Sequence, residues 1–286
     1  VIRADMRILV CGGAGFIGSN FVRYVLTSYP DDVVVNFDKL TYAANPENLK
    51  DVEARFGSRY TLVHGDIGDE EVVLQTVREH AIDAIINFAA ETHVDRSIHL
   101  GARAFVLTNT LGVCSLLDVV KRTGLQKFVN VSTDEVYGAL ELEEPQRFTE
   151  QTAFAPNMPY AAAKAGGDLL CRSYFMTHKI PVIVTHCSNN YGPFQFPEKL
   201  IPFALFRAVA DQPVPIYGDG LHVRDWIHVE DHCASLDAIL RRGEPGAGPR
   251  TFEGFQREIT ASDGSLVGWL RVHVDTAEGA RRAGQG

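Results

Sequence analysis

Apolar residues in this chain come in short unbroken runs rather than in strict alternation. Arg7-Ile-Leu-Val-Cys11, Val33-Val-Val-Asn-Phe-Asp38, Tyr60-Thr-Leu-Val-His-Gly-Asp66, Ala84-Ile-Ile-Asn-Phe-Ala-Ala90, Lys127-Phe-Val-Asn-Val-Ser132 and Val182-Ile-Val-Thr185 each read as a strand. Runs of this kind, rich in β-branched residues, belong to strands covered on both faces. Between them lie segments with helical spacing: Ser19 to Ser28, Glu70 to Glu79, residues 101–122, and Tyr160 to Met176. Strands alternating with helices predict an α/β fold built on a doubly wound parallel sheet. Gly243-Glu-Pro-Gly-Ala-Gly-Pro249 is a turn-rich linker. The weak periodicity beyond it predicts no further core element and points to a disordered tail.

Composition narrows the class. The chain has 286 residues, 45% hydrophobic and 22% charged, enough for a large core and two lobes. A net charge of −9 argues against non-specific nucleic-acid binding. Five cysteines without a C-x-x-C pair suggest reduced thiols and a cytoplasmic setting. The ten histidines form no metal-ligand spacing, so no metal is expected. No apolar run reaches about 18 residues and no signal-peptide core precedes Gly12, so neither a membrane span nor a leader is expected.

The first strand runs into Gly12-Gly-Ala-Gly15-Phe16-Ile17-Gly18 and a helix. In a βαβ setting, glycines at this spacing let a pyrophosphate approach the helix N-terminus. Asp38 ends the second strand, 20 residues after Gly18, where a carboxylate accepts from a ribose 2′-OH and repels a 2′-phosphate. This favours NAD over NADP. Asp66 and Ile67 end the third strand and would flank the adenine; Ala89 and Ala90 end the fourth and would pass beneath the cofactor.

Two further constellations carry chemistry. Tyr160-Ala-Ala-Ala-Lys164 sets a phenol and an ammonium one helical turn apart, and a nearby cation would favour the phenolate. Thr133-Asp134-Glu135 adds two adjacent carboxylates, which repel when both are ionised and so divide into an acid and a base. One base suffices to oxidise an alcohol. The extra pair suggests that the oxidised intermediate then loses water. Alone, the tyrosine–lysine spacing also fits an exposed helical pair, and Thr-Asp-Glu a solvated turn.

With Asp38-Lys39-Leu40-Thr41-Tyr42, Ala89-Ala-Glu-Thr-His93-Val-Asp-Arg-Ser97, Ser132-Thr-Asp-Glu-Val-Tyr-Gly138, Cys187-Ser-Asn189-Asn190-Tyr-Gly-Pro193, Phe196-Pro-Glu-Lys199-Leu200-Ile-Pro202 and Arg224-Asp-Trp-Ile-His-Val-Glu-Asp231, the chain resembles the extended short-chain dehydrogenase/reductases. Within them it is similar to the dTDP-glucose 4,6-dehydratases, from about Met6 to Arg242. The resemblance implies a Rossmann-type domain over residues 1–187, with 222–242 returning to it, and a smaller substrate lobe from 188–221 and 243–286. It implies NAD contacts from Gly12, Gly15, Phe16, Ile17, Gly18, Asp38, Lys39, Leu40, Thr41, Asp66, Ile67, Ala89, Ala90, Thr108, Tyr160, Lys164 and Asn190. Substrate contacts are implied for His93, Thr133, Asn189, Lys199, Leu200, Pro215, Ile216, Tyr217 and Arg224. The implied reaction converts dTDP-glucose to its 4-keto-6-deoxy form. Tyr160, aided by Lys164, takes the 4-OH proton while hydride leaves C4 for NAD. Thr133 holds the C4 oxygen, Glu135 takes the C5 proton, Asp134 protonates the departing C6 hydroxyl, and hydride returns to C6. A homodimer is implied, paired through the helices at 101–122 and 160–176.

The resemblance fades after about residue 250. The family's Asn-containing turn and its closing Asp-Arg-Pro-Gly-His-like loop have no clear counterpart, which suggests a truncated or frame-shifted C-terminus and a weaker hold on the nucleotide. UDP-glucose as substrate, a related epimerase or decarboxylase, and a family member that binds NAD without turnover stay open on sequence alone.

Overall fold

The computed structural model describes residues 5–93, 101–140, 147–149, 152–216, 218–221 and 223–246, and the backbone of four later strands. Six strands form a parallel sheet: β1 (Arg7–Cys11), β2 (Val33–Asp38), β3 (Tyr60–His64), β4 (Ala84–Asn87), β5 (Lys127–Thr133) and β6 (Val182–Cys187), in the order 3-2-1-4-5-6. The helices that cover it are α1 (Phe16–Ser28), α2 (Lys50–Phe56), α3 (Glu70–Glu79), α4 (Arg103–Thr123), α5 (Pro159–His178), α6 (Leu200–Val209) and α7 (Val229–Arg242). This is the doubly wound order that binds dinucleotides where the strand sequence reverses, between β1 and β4.

Strand β1 shows why solid apolar runs were the right strand signal. Ile8 and Val10 point to one side, into a cluster with Phe21, Val22 and Leu236. Leu9 and Cys11 point to the other, into a cluster with Val73, Leu116 and Leu117. Successive side chains alternate faces, and here both faces are dry.

Element ends depart from the sequence reading where local chemistry intervenes. Helix α1 begins at Phe16, three residues before the periodic stretch, because Gly15 serves as its N-cap. Strand β4 stops at Asn87, whose side chain accepts from the N–H of Ala89 and turns the chain out of the sheet. Helix α4 winds as a π-helix over Leu107–Gly112. It is also long and apolar enough to cross a bilayer, unlike the sequence expectation. Half of that stretch is buried in this fold, and the helix packs on α3 and α5.

Beyond β6, the parallel pair β7 (Asn189–Tyr191) and β8 (Trp226–His228) brackets the segment that carries α6. Past the linker, where periodicity predicts no core element, four short strands form: β9 (Pro249–Thr251), β10 (Arg257–Thr260), β11 (Leu266–Leu270) and β12 (His273–Asp275). β12 pairs antiparallel with β6 and β9 with β12, extending the main sheet, while β10 and β11 form a hairpin. An open sheet edge offers hydrogen bonds to any extended backbone, so pairing there needs no apolar rhythm.

Candidate active site

A cavity of about 510 Å³ opens at the carboxyl ends of β1, β4 and β5. Gly12, just after β1, has φ +78°, and a Cβ on it would lie 2.6 Å from the backbone nitrogen of Ala89. Only glycine lets the two strand ends come this close. Gly15 differs: a Cβ there would meet nothing nearer than the Gly12 carbonyl oxygen at 3.3 Å. It presents bare backbone to the cavity, and no side chain caps α1. The first-turn N–H groups thus face an open cradle, which fits a pyrophosphate.

Asp38 is buried at the end of β2, with one oxygen accepting from Ala14 N and the other from Leu40 N, 2.9 and 2.8 Å. Burial raises its pKa, and those two N–H groups oppose the rise. Each oxygen keeps a lone pair for a ribose hydroxyl. Lys39 already pairs with Asp66 at 2.6 Å, so this rim offers a carboxylate to a diol rather than a cation to a 2′-phosphate. The donor set fits NAD.

The catalytic candidates converge from two elements. Tyr160 and Lys164 lie on the first turns of α5, and Thr133 and Glu135 at the end of β5 and in the turn that follows; all four line the cavity. The Lys164 ammonium donates to the Val131 carbonyl at 2.7 Å. Burial drives the Tyr160 pKa well up, and the charges of Glu135, Cys187, Asp134 and Asp168 push the same way. This corrects the expectation of a phenol acidified by Lys164, whose own pKa is lowered by burial. In a dry pocket, desolvation outweighs a cation one turn away.

Asp134 and Glu135 both have raised pKa values, for different reasons. Burial raises Asp134 most, with Asp225 adding to it, while the Thr133 hydroxyl, 3.3 Å from Asp134 Oδ1, opposes. Burial also leads for Glu135, and the Asp134 charge adds to it, but Lys199 and Arg224 favour its ionised form. Glu135 Oε2 is buried with no hydrogen-bond partner. Asp134 itself does not line the cavity; it stands behind Thr133.

Most of the remaining predicted residues border the same cavity: Gly12, Phe16, Ile17, Gly18, Thr41, Ile67, Ala89, Ala90, Thr108, Asn189, Asn190, Lys199, Leu200 and Arg224. Four do not. Leu40 contributes its N–H to Asp38 instead, and His93 pairs with Glu198 at 3.2 Å. Pro215 and Ile216 lie on the surface, and Ile216 is 75% exposed. Tyr217 lies outside the described residues, as do positions 94–97 of the Ala89–Ser97 motif.

Sequence reading missed a polar seam beneath this site. Ala89 N donates to Asn87, Asn87 to Asn130, and Asn130 to Asp168, at 3.0–3.1 Å. Ser132 and His186 also reach Asp168, and His186 contacts the Tyr137 hydroxyl at 2.7 Å. The available signal was an asparagine inside each of two apolar strands, since a buried amide needs a partner. Asn109, in the π-helical turn, clamps both backbone groups of Glu91 and fixes the loop beside Ala90. His232, buried and held down to about 4 by desolvation, contacts Asn190 Oδ1 at 2.8 Å and orients that amide.

The reversal crevice, the acidic end of β2 and the tyrosine–lysine helix together define an NAD-dependent extended short-chain dehydrogenase/reductase. The family model for GDP-mannose 4,6 dehydratase matches residues 9–252. The dTDP-glucose 4,6-dehydratase of Xanthomonas campestris pv. campestris is 48% identical over 247 residues, 83% of this chain and 68% of that protein. Solved dTDP-glucose 4,6-dehydratases superpose closely. The Bacillus anthracis enzyme in complex with NAD gives a TM-score of 0.78 at 47% identity, covering 84% of this chain and 73% of the other. The Streptomyces venezuelae enzyme, also with NAD bound, gives 0.79 at 46%, covering 85% and 76%. The chain belongs to the dTDP-glucose 4,6-dehydratase family.

Proposed function

We propose that this protein dehydrates dTDP-glucose to dTDP-4-keto-6-deoxyglucose. The observation that carries the reading is the buried, unpartnered Glu135 carboxylate oxygen, in a cavity that Tyr160 also lines and next in sequence to a second, half-buried carboxylate. An epimerase needs no such pair; removing a C5 proton and a C6 hydroxyl needs both an acid and a base.

Thr133 donates its hydroxyl toward the sugar C4 oxygen and holds it beside Tyr160. Tyr160 takes the 4-OH proton. The glycine cradle and Asp38 would hold NAD, which would supply a hydride acceptor for C4, a hydride donor for C6 and a ring charge that favours the Tyr160 phenolate. The 4-ketone acidifies C5, and Glu135, its carboxylate favoured by Lys199 and Arg224, takes that proton and gives one back to C5 as hydride reaches C6. Asp134, whose hold on a proton burial strengthens, supplies the acid for the C6 hydroxyl, which leaves as water. Lys199 and Arg224 hold the diphosphate, and Arg224 presents a planar fork to it.

Exposed Val106, Leu107 and Leu111 on α4, with Leu169 and Met176 on α5, support a homodimer paired through these helices. Five cysteines, none of them in a disulfide, support a reducing, cytoplasmic setting.

Purified protein incubated with dTDP-glucose should yield a product lighter by one water in mass spectrometry. The product should be absent in Asp134→Asn and Glu135→Gln variants. No water loss from dTDP-glucose by protein that retains NAD would overturn the assignment.

A further inference from the structure

We infer that Asp168 is a positioning residue for this reaction: from α5 it locks the Tyr160–Lys164 helix to the Thr133-Asp134-Glu135 turn. The inference rests on the proposed dehydration. Asp168 is 3% exposed and lies one turn beyond Lys164 and two beyond Tyr160. Its carboxylate touches neither the cavity nor, on the proposed reaction, the substrate. Four residues converge on it or through it.

One oxygen accepts from Asn130 at 3.0 Å. The other accepts from the Ser132 hydroxyl at 2.6 Å and bonds the His186 ring at 3.2 Å. Ser132 immediately precedes Thr133, so its hydrogen bond fixes the strand end on which Thr133 stands. His186 carries the connection further: its other ring nitrogen meets the Tyr137 hydroxyl at 2.7 Å. Tyr137 lies in the same 3-10 turn as Asp134 and Glu135. An ionised Asp168 only accepts, which places a proton on His186 Nε2; a neutral ring then takes the Tyr137 hydroxyl at Nδ1. Phe154 and Tyr137 pack edge-on against the imidazole and hold its plane. The helix and the turn are thereby fixed to one buried carboxylate rather than only to each other.

The same charge bears on both ends of the tyrosine–lysine pair. It opposes the burial that weakens the Lys164 ammonium, and it disfavours the Tyr160 phenolate. The other groups facing Tyr160 are Glu135, Asp134 and Cys187; those facing Lys164 are Cys187 and Cys171; His186 faces Asp168 itself. All of them remain when Asp168 becomes Asn. Neutralising Asp168 therefore lowers the pH at which Tyr160 ionises and also the pH at which Lys164 loses its proton.

The test compares NAD-loaded wild type, Asp168→Asn and Tyr137→Phe. Both variants should lose roughly 10- to 100-fold in kcat, with KM for dTDP-glucose within about threefold of wild type, since neither residue faces the cavity. In Asp168→Asn both limbs of the kcat–pH profile should move to lower pH. In Tyr137→Phe, which leaves the charge in place, they should stay. Wild-type kcat in both variants, or a fall in Asp168→Asn with unmoved limbs, overturns the inference. Should Asp168→Asn fail to fold, Ser132→Ala and Tyr137→Phe decide: the same loss in kcat supports the role, and unchanged kcat in both refutes it. Nitrogen-15 NMR of His186 separates this inference from the reaction itself. If wild type dehydrates no dTDP-glucose, an Nε2-protonated ring whose resonances change in Asp168→Asn still supports the lock, and unchanged resonances overturn it.

Discussion

Replacing Glu135 with Gln should cut turnover by orders of magnitude and stabilise the fold. General-base removal of a proton contributes about 10²–10⁴ in rate, or roughly 3–5 kcal/mol of barrier, and the Gln amide cannot accept the C5 proton. Stability moves the other way. Burial, helped by the Asp134 charge, raises the Glu135 pKa, so the folded state disfavours its ionisation. A carboxyl whose folded pKa is raised holds its proton longer folded than unfolded. Stability is therefore lost as pH rises from the ordinary carboxyl range through the folded pKa, and the loss is complete above it. Each unit of the rise costs about 1.4 kcal/mol. Gln carries no charge to desolvate and removes that cost.

Thermal unfolding at two pH values, together with C5 deuterium exchange, checks both halves. At pH 8 the variant should melt higher than wild type, by about 2–4 °C per kcal/mol for a chain of this size; below pH 4 the difference should vanish. In heavy water, wild type should place deuterium at C5 of the product, and the variant should leave C5 unexchanged. A variant that melts lower than wild type at pH 8, or that turns over within tenfold of it, refutes the reasoning that Glu135 is a strained base rather than a structural carboxylate.

Three further outcomes follow from packing. Gly18→Ala places a Cβ 2.2 Å from the Gly12 carbonyl oxygen and 2.8 Å from Gly13 Cα, both backbone, so the turn must shift; a loss of about 1–3 kcal/mol and of co-purified NAD is expected from unfolding curves and nucleotide release. Arg241→Ala strips the cation from Asp32, which is fully buried, and removes the stacking of Arg241 on Tyr29; guanidinium unfolding should show a loss of about 3–5 kcal/mol. Leu111→Glu with Leu169→Glu charges the exposed apolar faces of α4 and α5, at 52% and 55% exposure; sedimentation should move from dimer to monomer, and an unchanged species argues against pairing through these helices.

The fold was legible because its strands are buried on both faces. Val33–Asp38 and Glu70–Glu79 match their predicted bounds, since Asp38 ends a strand and Asp69 caps a helix by accepting from Val72 N. The cofactor cradle was legible for the same reason: a glycine at φ +78° and a strand-end carboxylate are local constraints with local signatures. The strands past Gly243 were not, because edge pairing depends on a partner strand rather than on periodicity. Nor was the seam from Asn87 to Tyr137, whose contacts join residues up to 49 positions apart and which shows in sequence only as isolated polar residues in apolar runs. His93 stood out only through its motif position; the partner of its ring, Glu198, comes from a distant segment and lines the cavity.

The acid–base groups of this site share one electrostatic condition. Burial raises Tyr160, Asp134 and Glu135 and lowers Lys164, so every one of them is pushed toward its neutral form. A pocket that resists charge in this way selects when each proton moves. A cation arriving beside Tyr160 favours its phenolate, against a burial that also weakens the Lys164 ammonium. Glu135 differs from Asp134 in facing Lys199 and Arg224. A diphosphate drawn onto those two cations partly neutralises them and returns Glu135 toward its protonated form, whereas the 4-ketone increases the acidity of the proton it must take. The base therefore works best with a substrate whose diphosphate is held by Lys199 and Arg224 at a distance that leaves part of their field on Glu135. Shortening Arg224 to Lys, which moves the charge back along the side chain, should raise KM through the lost fork and shift the pH dependence of C5 deuterium exchange, which reports Glu135, to higher pH through the lost field. An exchange profile that stays in place would mean that Arg224 acts on the diphosphate alone.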